Sequence, residues 1–355
     1  MTPAALPVKA TLPPPTTDNV PSRAGTDDTI GPTEPTVLTL TAPAPAKPAD
    51  ADAPRVDARH LAAGPLRRSL SWLGTILGVV NRPVELVALD LDGTLLDSRK
   101  RISGPTVKAL RILGYQGVKV VLASARPPRS CRAIYEGLGL DTWQINYNGA
   151  LLWDPKANRP VHHWPMAGLT VWEMAKLARE LVPGVQVAAE VVDRWYTDRH
   201  DPYRTSVTGR VFRPDVVAPL SSWGRQPTTK LMFLAEPRKV ARIREGLRAK
   251  FGHVAKVVHA DPDLVQVMNH EAGKDVALRL VCEKYGVDPK HAMAVGDAIN
   301  DYDMLRAAGT PVVMSNGCDE CKSIARWVAP SNDQDGVYAA VRRFVPRVRP
   351  LLDAA

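Results

Sequence analysis

The chain has 355 residues, 45% of them hydrophobic, and carries a formal charge of +9. That length allows two domains with real cores and excludes a small disulfide-dependent scaffold, because four cysteines cannot frame a chain this long. The basic balance suits anionic ligands, but Lys and Arg are scattered without an interleaved aromatic stripe, so no nucleic-acid partner is expected.

Residues 1–80 come first in chain order. Prolines are dense up to Pro54, and no Phe, Trp or Tyr precedes Trp72. Such a composition cannot bury enough apolar area to offset chain entropy, so a disordered extension is predicted. Near its end, Arg67–Val80 is a short, partly amphipathic segment, too short to cross a bilayer. The extension also lacks the basic start and apolar stretch of a secretory signal. No transmembrane segment is expected, and the thiols fit a reducing, cytoplasmic setting.

From Val84 onward, apolar runs alternate with helical patterns. Leu86–Leu89 is a continuous apolar run, as expected for a parallel strand buried on both faces. It ends in Asp90-Leu91-Asp92-Gly93-Thr94. Thr106–Leu113 has helical spacing. Lys119–Ala123 is a second strand run, closed by Ser124-Ala125-Arg126-Pro127, and Ser130–Leu138 is a further helix. From Leu152 the texture changes. A helix at Leu169–Leu181, strands at Val185–Val192 and Lys230–Leu234, a helix at Val240–Phe251 and a strand at Leu264–Met268 make an α+β insert. The first pattern resumes with Gly273-Lys274-Asp275, opening a helix that carries Val276, Ala277, Leu280 and Val281. Ala292–Val295 is a third strand run, followed by Gly296-Asp297-Ala298-Ile299-Asn300-Asp301. The predicted fold is therefore α/β: a doubly wound, Rossmann-like parallel sheet built from 84–151 and 269–345, interrupted by an inserted cap domain over 152–268.

The chemistry sits where these runs stop. Asp90 and Asp92 repel one another and need a cation or a shared proton. Open α/β sheets bind ligands at the carboxyl ends of their strands, and helix starts favour anions. Hydroxyl, lysine and carboxylate groups arriving there from four segments point to phosphate and metal chemistry.

In the order of these four motifs, the chain resembles the haloacid dehalogenase superfamily of phosphatases, and most closely its Cof-type branch, which carries a large cap between the second and third motifs. The matching residues are Asp90-Leu91-Asp92-Gly93-Thr94-Leu95-Leu96, Ser124 with Arg126-Pro127, Lys274, and Gly296-Asp297 with Asn300-Asp301. Asn146–Ala150 and Ser331–Val337 are similar to two further segments of that branch. Ala125 departs from the pattern, since glycine is frequent there and alanine resists positive φ.

The resemblance implies a magnesium-dependent phosphatase acting on small phosphorylated metabolites, sugar or cofactor phosphates. Asp90 would be the nucleophile, forming an aspartyl-phosphate, and Asp92 the general acid and base. Mg2+ would be held by the Asp90 and Asp297 carboxylates and the Asp92 backbone carbonyl, with Asp301 ligating or bracing. Ser124, the N–H groups of Leu91 and Ala125, Asn300 and Lys274 would hold the phosphoryl group. The rival readings are a dedicated sugar-phosphate phosphatase or phosphomutase, and a non-catalytic binding module tethered by its extension.

Other features carry less. Cys318 and Cys321 form one Cys-x-x-Cys, too few ligands for structural zinc. The adjacent pair His162 and His163 point apart. Arg194, Arg199, His200, Arg204, Arg210 and Arg213 read as a solvated face, with contact to a second anionic group on the substrate as the alternative. Trp153, Trp164, Trp172 and Trp195 read as core.

Overall fold

A computed structural model of the chain describes residues 83–200 and 213–354, apart from the side chains of His259 and Ala260. The predicted extension, Arg67–Val80 within it, and Arg204 and Arg210 lie outside the described residues.

Strand β1 (Leu86–Leu89) is buried at all four positions. Helix α1 (Gly104–Tyr115) starts at Ser103, whose Oγ accepts the Thr106 N–H at 3.3 Å. Strand β2 (Lys119–Leu122) follows, and helix α2 (Pro128–Leu138) stops at Gly139 with φ +66°. Strand β3 (Gln144–Asn146) leads into a tight turn, Tyr147–Gly149. It pairs antiparallel with β4 (Leu151–Asp154), and β4 with β5 (Arg159–His163), as a small three-stranded sheet. The boundary predicted at residue 152 thus falls inside β4.

The insert continues with α3 (Gly168–Leu181), β6 (Gln186–Val191), β7 (Arg194–Thr197), β8 (Val216–Val217), α4 (Leu220–Trp223), β9 (Lys230–Leu234), α5 (Pro237–Phe251), β10 (Ala255–Asp261) and β11 (Leu264–Asn269). Its six strands form one sheet in the order β10-β11-β9-β6-β7-β8. Helices α3 and α5 cover one face: Val171, Met174, Ala178, Ile243 and Leu247 pack on Val187, Leu231, Phe233 and Val265. The opposite face presents Ala188, Trp195, Met232, Leu234 and Leu264. Arg194 opens β7 and is exposed, as are Arg199 and Arg213, in keeping with a solvated face, while Trp195 and Thr197 alternate inward.

The chain then returns through α6 (Lys274–Tyr285), β12 (Ala292–Gly296), α7 (Tyr302–Ala307), β13 (Thr310–Met314), α8 (Asp319–Ser323), β14 (Trp327–Ala329), α9 (Gly336–Phe344) and α10 (Arg349–Asp353). The main sheet runs β14-β13-β12-β1-β2, every pair parallel. Alternate residues of β1 serve opposite cores: Val87 and Leu89 meet α1, α2, α9 and α10, while Leu86 and Ala88 meet α6, α7 and α8. That two-sided burial is why the strand reads as an unbroken apolar run. The α/β expectation is met by this helix–sheet–helix layering. From β1 the chain first builds outward through β2, then returns on the other flank through β12. The crevice at this reversal is where ligands bind in open parallel sheets.

Candidate active site

Asp90 follows β1 directly and is 5% exposed. Lys274 Nζ donates to Asp90 Oδ1 and to Asp301 Oδ1, both at 2.6 Å, and the lysine side chain is fully buried. Asp301, also fully buried, uses its second oxygen to accept the backbone N–H groups of Asp297 and Ala298, at 3.1 Å each. It thereby fixes both the lysine and the loop that carries Asp297. Thr94 Oγ1 donates to Asp297 Oδ1 at 2.6 Å. Oxygens of Asp90, Asp297 and Asp301 all lie within 4.8 Å of one another. Gly93, at φ +88°, makes this approach possible, since a Cβ there would stand 2.4 Å from Asp297 Oδ2.

Charge does not balance in this cluster. Burial, then the Asp301 charge, push the Asp90 carboxyl up to about 8, with Lys274 opposing them only in part. Burial also raises Asp297 to about 6, against its Thr94 hydrogen bond. Burial alone would lower Lys274, but Asp301 and Asp90 hold it above its ordinary value. Three carboxylates against one ammonium, with only oxygen donors, fit a hard divalent cation. Asp301 accepts at both oxygens, whereas no hydrogen bond among the described residues engages the second oxygen of Asp90 or of Asp297, which leaves these two the freer carboxylates for a cation.

Asp92 has a different environment, its side chain 41% exposed. Arg126 donates from Nε and Nη2 to its two oxygens at 2.7 and 2.6 Å, and Lys100 Nζ donates at 2.6 Å. Partial burial would raise this carboxyl, but Arg126 and then Lys100 hold it below the usual carboxylate range.

Ser124 is buried, its Oγ accepting from the Arg126 N–H at 3.2 Å and its carbonyl from the Asn148 N–H at 3.0 Å. Ala125 is absent from the positive-φ residues among those described, so alanine costs the loop no strain there. The Leu91 side chain is wholly in the core, which leaves only its backbone for ligand. Asn300 is exposed and donates to Asn148 Oδ1 at 3.0 Å.

The turn between β3 and β4 organises this side. Tyr147, Asn148 and Gly149 have φ of +51°, +54° and +93°. A Cβ on Gly149 would stand 2.1 Å from the Gly273 carbonyl oxygen, so the turn rests against the start of α6. The structure thus gathers Asp90, Asp297, Asp301 and Lys274 in one cluster, and it links Ser124 and Asn300 through Asn148. Sequence reasoning assigned no role to Thr94, Lys100, Arg126 or Asn148. All but Lys100 lie within or beside a motif, and that adjacency was the available signal.

A family model described as haloacid dehalogenase-like hydrolase matches residues 87–341. The chain is 30% identical over 263 residues to a 5-amino-6-(5-phospho-D-ribitylamino)uracil phosphatase of Bacillus subtilis strain 168, covering 73% of this chain and 97% of that protein. It is 27% identical over 243 residues to the HMP-PP phosphatase of Yersinia pestis strain Pestoides F, covering 67% and 86%. A solved haloacid dehalogenase-like hydrolase from Bacteroides thetaiotaomicron shares the fold, with a TM-score of 0.67 at 22% identity over 73% of this chain and 98% of that chain. The motif order, the parallel sheet and the acid–lysine cluster therefore have a common explanation: the chain belongs to the haloacid dehalogenase-like hydrolase family, as an enzyme of its phosphatase kind.

Proposed function

We propose that the protein is a magnesium-dependent phosphatase of small phosphorylated metabolites, working through an aspartyl-phosphate on Asp90. The observation that carries this is the buried Asp90 carboxylate, held at 2.6 Å by Lys274 beside Asp297 and Asp301. An Asp90 oxygen attacks phosphorus as the bond to the leaving oxygen breaks, and Asp92 gives that oxygen its proton. Water then attacks the aspartyl-phosphate, Asp92 takes a proton from it, and phosphate leaves with Asp90 restored. Bound phosphate competes for Arg126 and Lys100, which frees Asp92 and raises its carboxyl toward the range of a general acid. Lys274 neutralises charge at the nucleophile and phosphoryl oxygens. Asp90, Asp297 and the Asp92 carbonyl would hold Mg2+, which supplies charge neutralisation at the transferring phosphoryl group.

The relatives named above act on small phosphorylated compounds, which supports the same substrate class here. Among the described residues no helix is long and apolar enough to cross a membrane. The four cysteines are free thiols, which supports the cytoplasmic assignment. The test is p-nitrophenyl phosphate hydrolysis, which EDTA should abolish and magnesium restore, with release of inorganic phosphate. Turnover of equal size without metal would sink the proposal.

A further inference from the structure

Lys230, the first residue of β9, is a buried cation with no role in that mechanism. It is 4% exposed and sits opposite Glu190 in the β6–β9 register. Glu190 is already engaged: Arg129 Nη2 reaches its two oxygens at 2.8 and 2.7 Å, and the Tyr147 hydroxyl donates at 3.2 Å. Arg129 also pairs with Asp193 at 3.1 Å. Among the described residues no side chain or carbonyl accepts a hydrogen bond from the Lys230 ammonium. Its ammonium stands 5.0 Å from the centre of the Tyr147 ring. Burial pulls it below its usual range in spite of the Glu190 charge. A cation on a mostly buried side chain with no acceptor among the described residues calls for one from outside the chain.

Its position says which acceptor. Tyr147 opens the turn that abuts Gly273 and Lys274, and its N–H donates to the carbonyl of Arg126, the residue clasping Asp92. Lys230 therefore lies beside the turn that joins the Arg126 loop to the start of α6, on the strand of the insert next to Tyr147. Resting on the phosphatase reading above, we propose that Lys230 binds a second oxyanion on the leaving group, so that the substrates are phosphate monoesters bearing a carboxylate or another phosphate.

Two matched pairs test this: 6-phosphogluconate against glucose 6-phosphate, and fructose 1,6-bisphosphate against fructose 6-phosphate. The protein should prefer the doubly anionic member of at least one pair by about 10- to 100-fold in kcat/KM, the size expected of one charged hydrogen bond. The pair that shows the preference names the oxyanion. In Lys230→Met the ratio should collapse toward one, chiefly through KM, and Lys230→Arg should retain part of it. Lys230→Gln serves if the methionine variant does not fold. No preference in the unmutated protein, or a ratio that survives loss of the ammonium, overturns the inference while p-nitrophenyl phosphate turnover keeps the phosphatase reading intact. Inertness toward every ester, with magnesium present, overturns both.

Discussion

Asp90 and Asp92 are two residues apart and differ in every electrostatic respect. The first is buried among carboxylates and raised; the second is half open and held low by Arg126 and Lys100. Division of labour follows, and substitutions should separate it. Asp92→Asn keeps the backbone carbonyl and loses the acid and base. With p-nitrophenyl phosphate, whose leaving group needs little protonation, it should form the aspartyl-phosphate and stall. Asp90→Asn should form none, and both should lose turnover by on the order of 10³-fold. Mass measurement of the trapped proteins decides, and label on Asp92 would refute the roles. Asp90, Asp297 and Lys274 were legible because each stands just past an apolar run or at a helix start. The clasp on Asp92 was not, because no periodicity reveals that Lys100 and Arg126 converge on one carboxylate.

At the scale of elements, the Tyr147–Gly149 turn couples the phosphate side to α6. Gly149→Ala combines a left-handed residue with a collision at the Gly273 carbonyl. It should cost about 2 kcal/mol or more and lower turnover by displacing Lys274. Gly104→Ala, with open space around it, is the control that should change neither melting temperature nor rate. A second test concerns β5, whose last residue His163 meets Thr229 Oγ1 at 2.8 Å, an atom that also accepts the Val192 N–H. Burial, then His162, lowers His163 from 6.5 to about 4. The unfolded chain thus takes up a proton that the native state refuses as pH falls below 6.5. Stability should decline from there to about pH 4 and then level off. His163→Gln should show a smaller loss of denaturation midpoint between pH 7 and pH 5, and equal losses would exclude this residue as the cause. Long amphipathic helices such as α1, α2, α3 and α5 were readable from their spacing. The strands β7, β10, β13 and β14 were not: β13 and β14 owe their place to neighbours in the parallel sheet, and β7 and β10 to antiparallel partners.

For the molecule as a whole, every described core cluster lies between Val84 and Leu352. Removing residues 1–60 should therefore leave melting temperature and turnover nearly unchanged, and a drop of several degrees in the melt would show packing by that segment. The long return of the chain to β12 sets an order of assembly. Asp92 meets Arg126 from 34 residues away, whereas Asp90 meets Lys274 from 184 and Thr94 meets Asp297 from 203. At the usual pace of synthesis, on the order of 10–40 s separates emergence of Asp90 from that of Asp301. The strand bearing the nucleophile waits through that interval with only one of its two sheet neighbours made. Until Lys274, Asp297 and Asp301 have emerged, Asp90 lacks every charged partner that surrounds it in the folded chain.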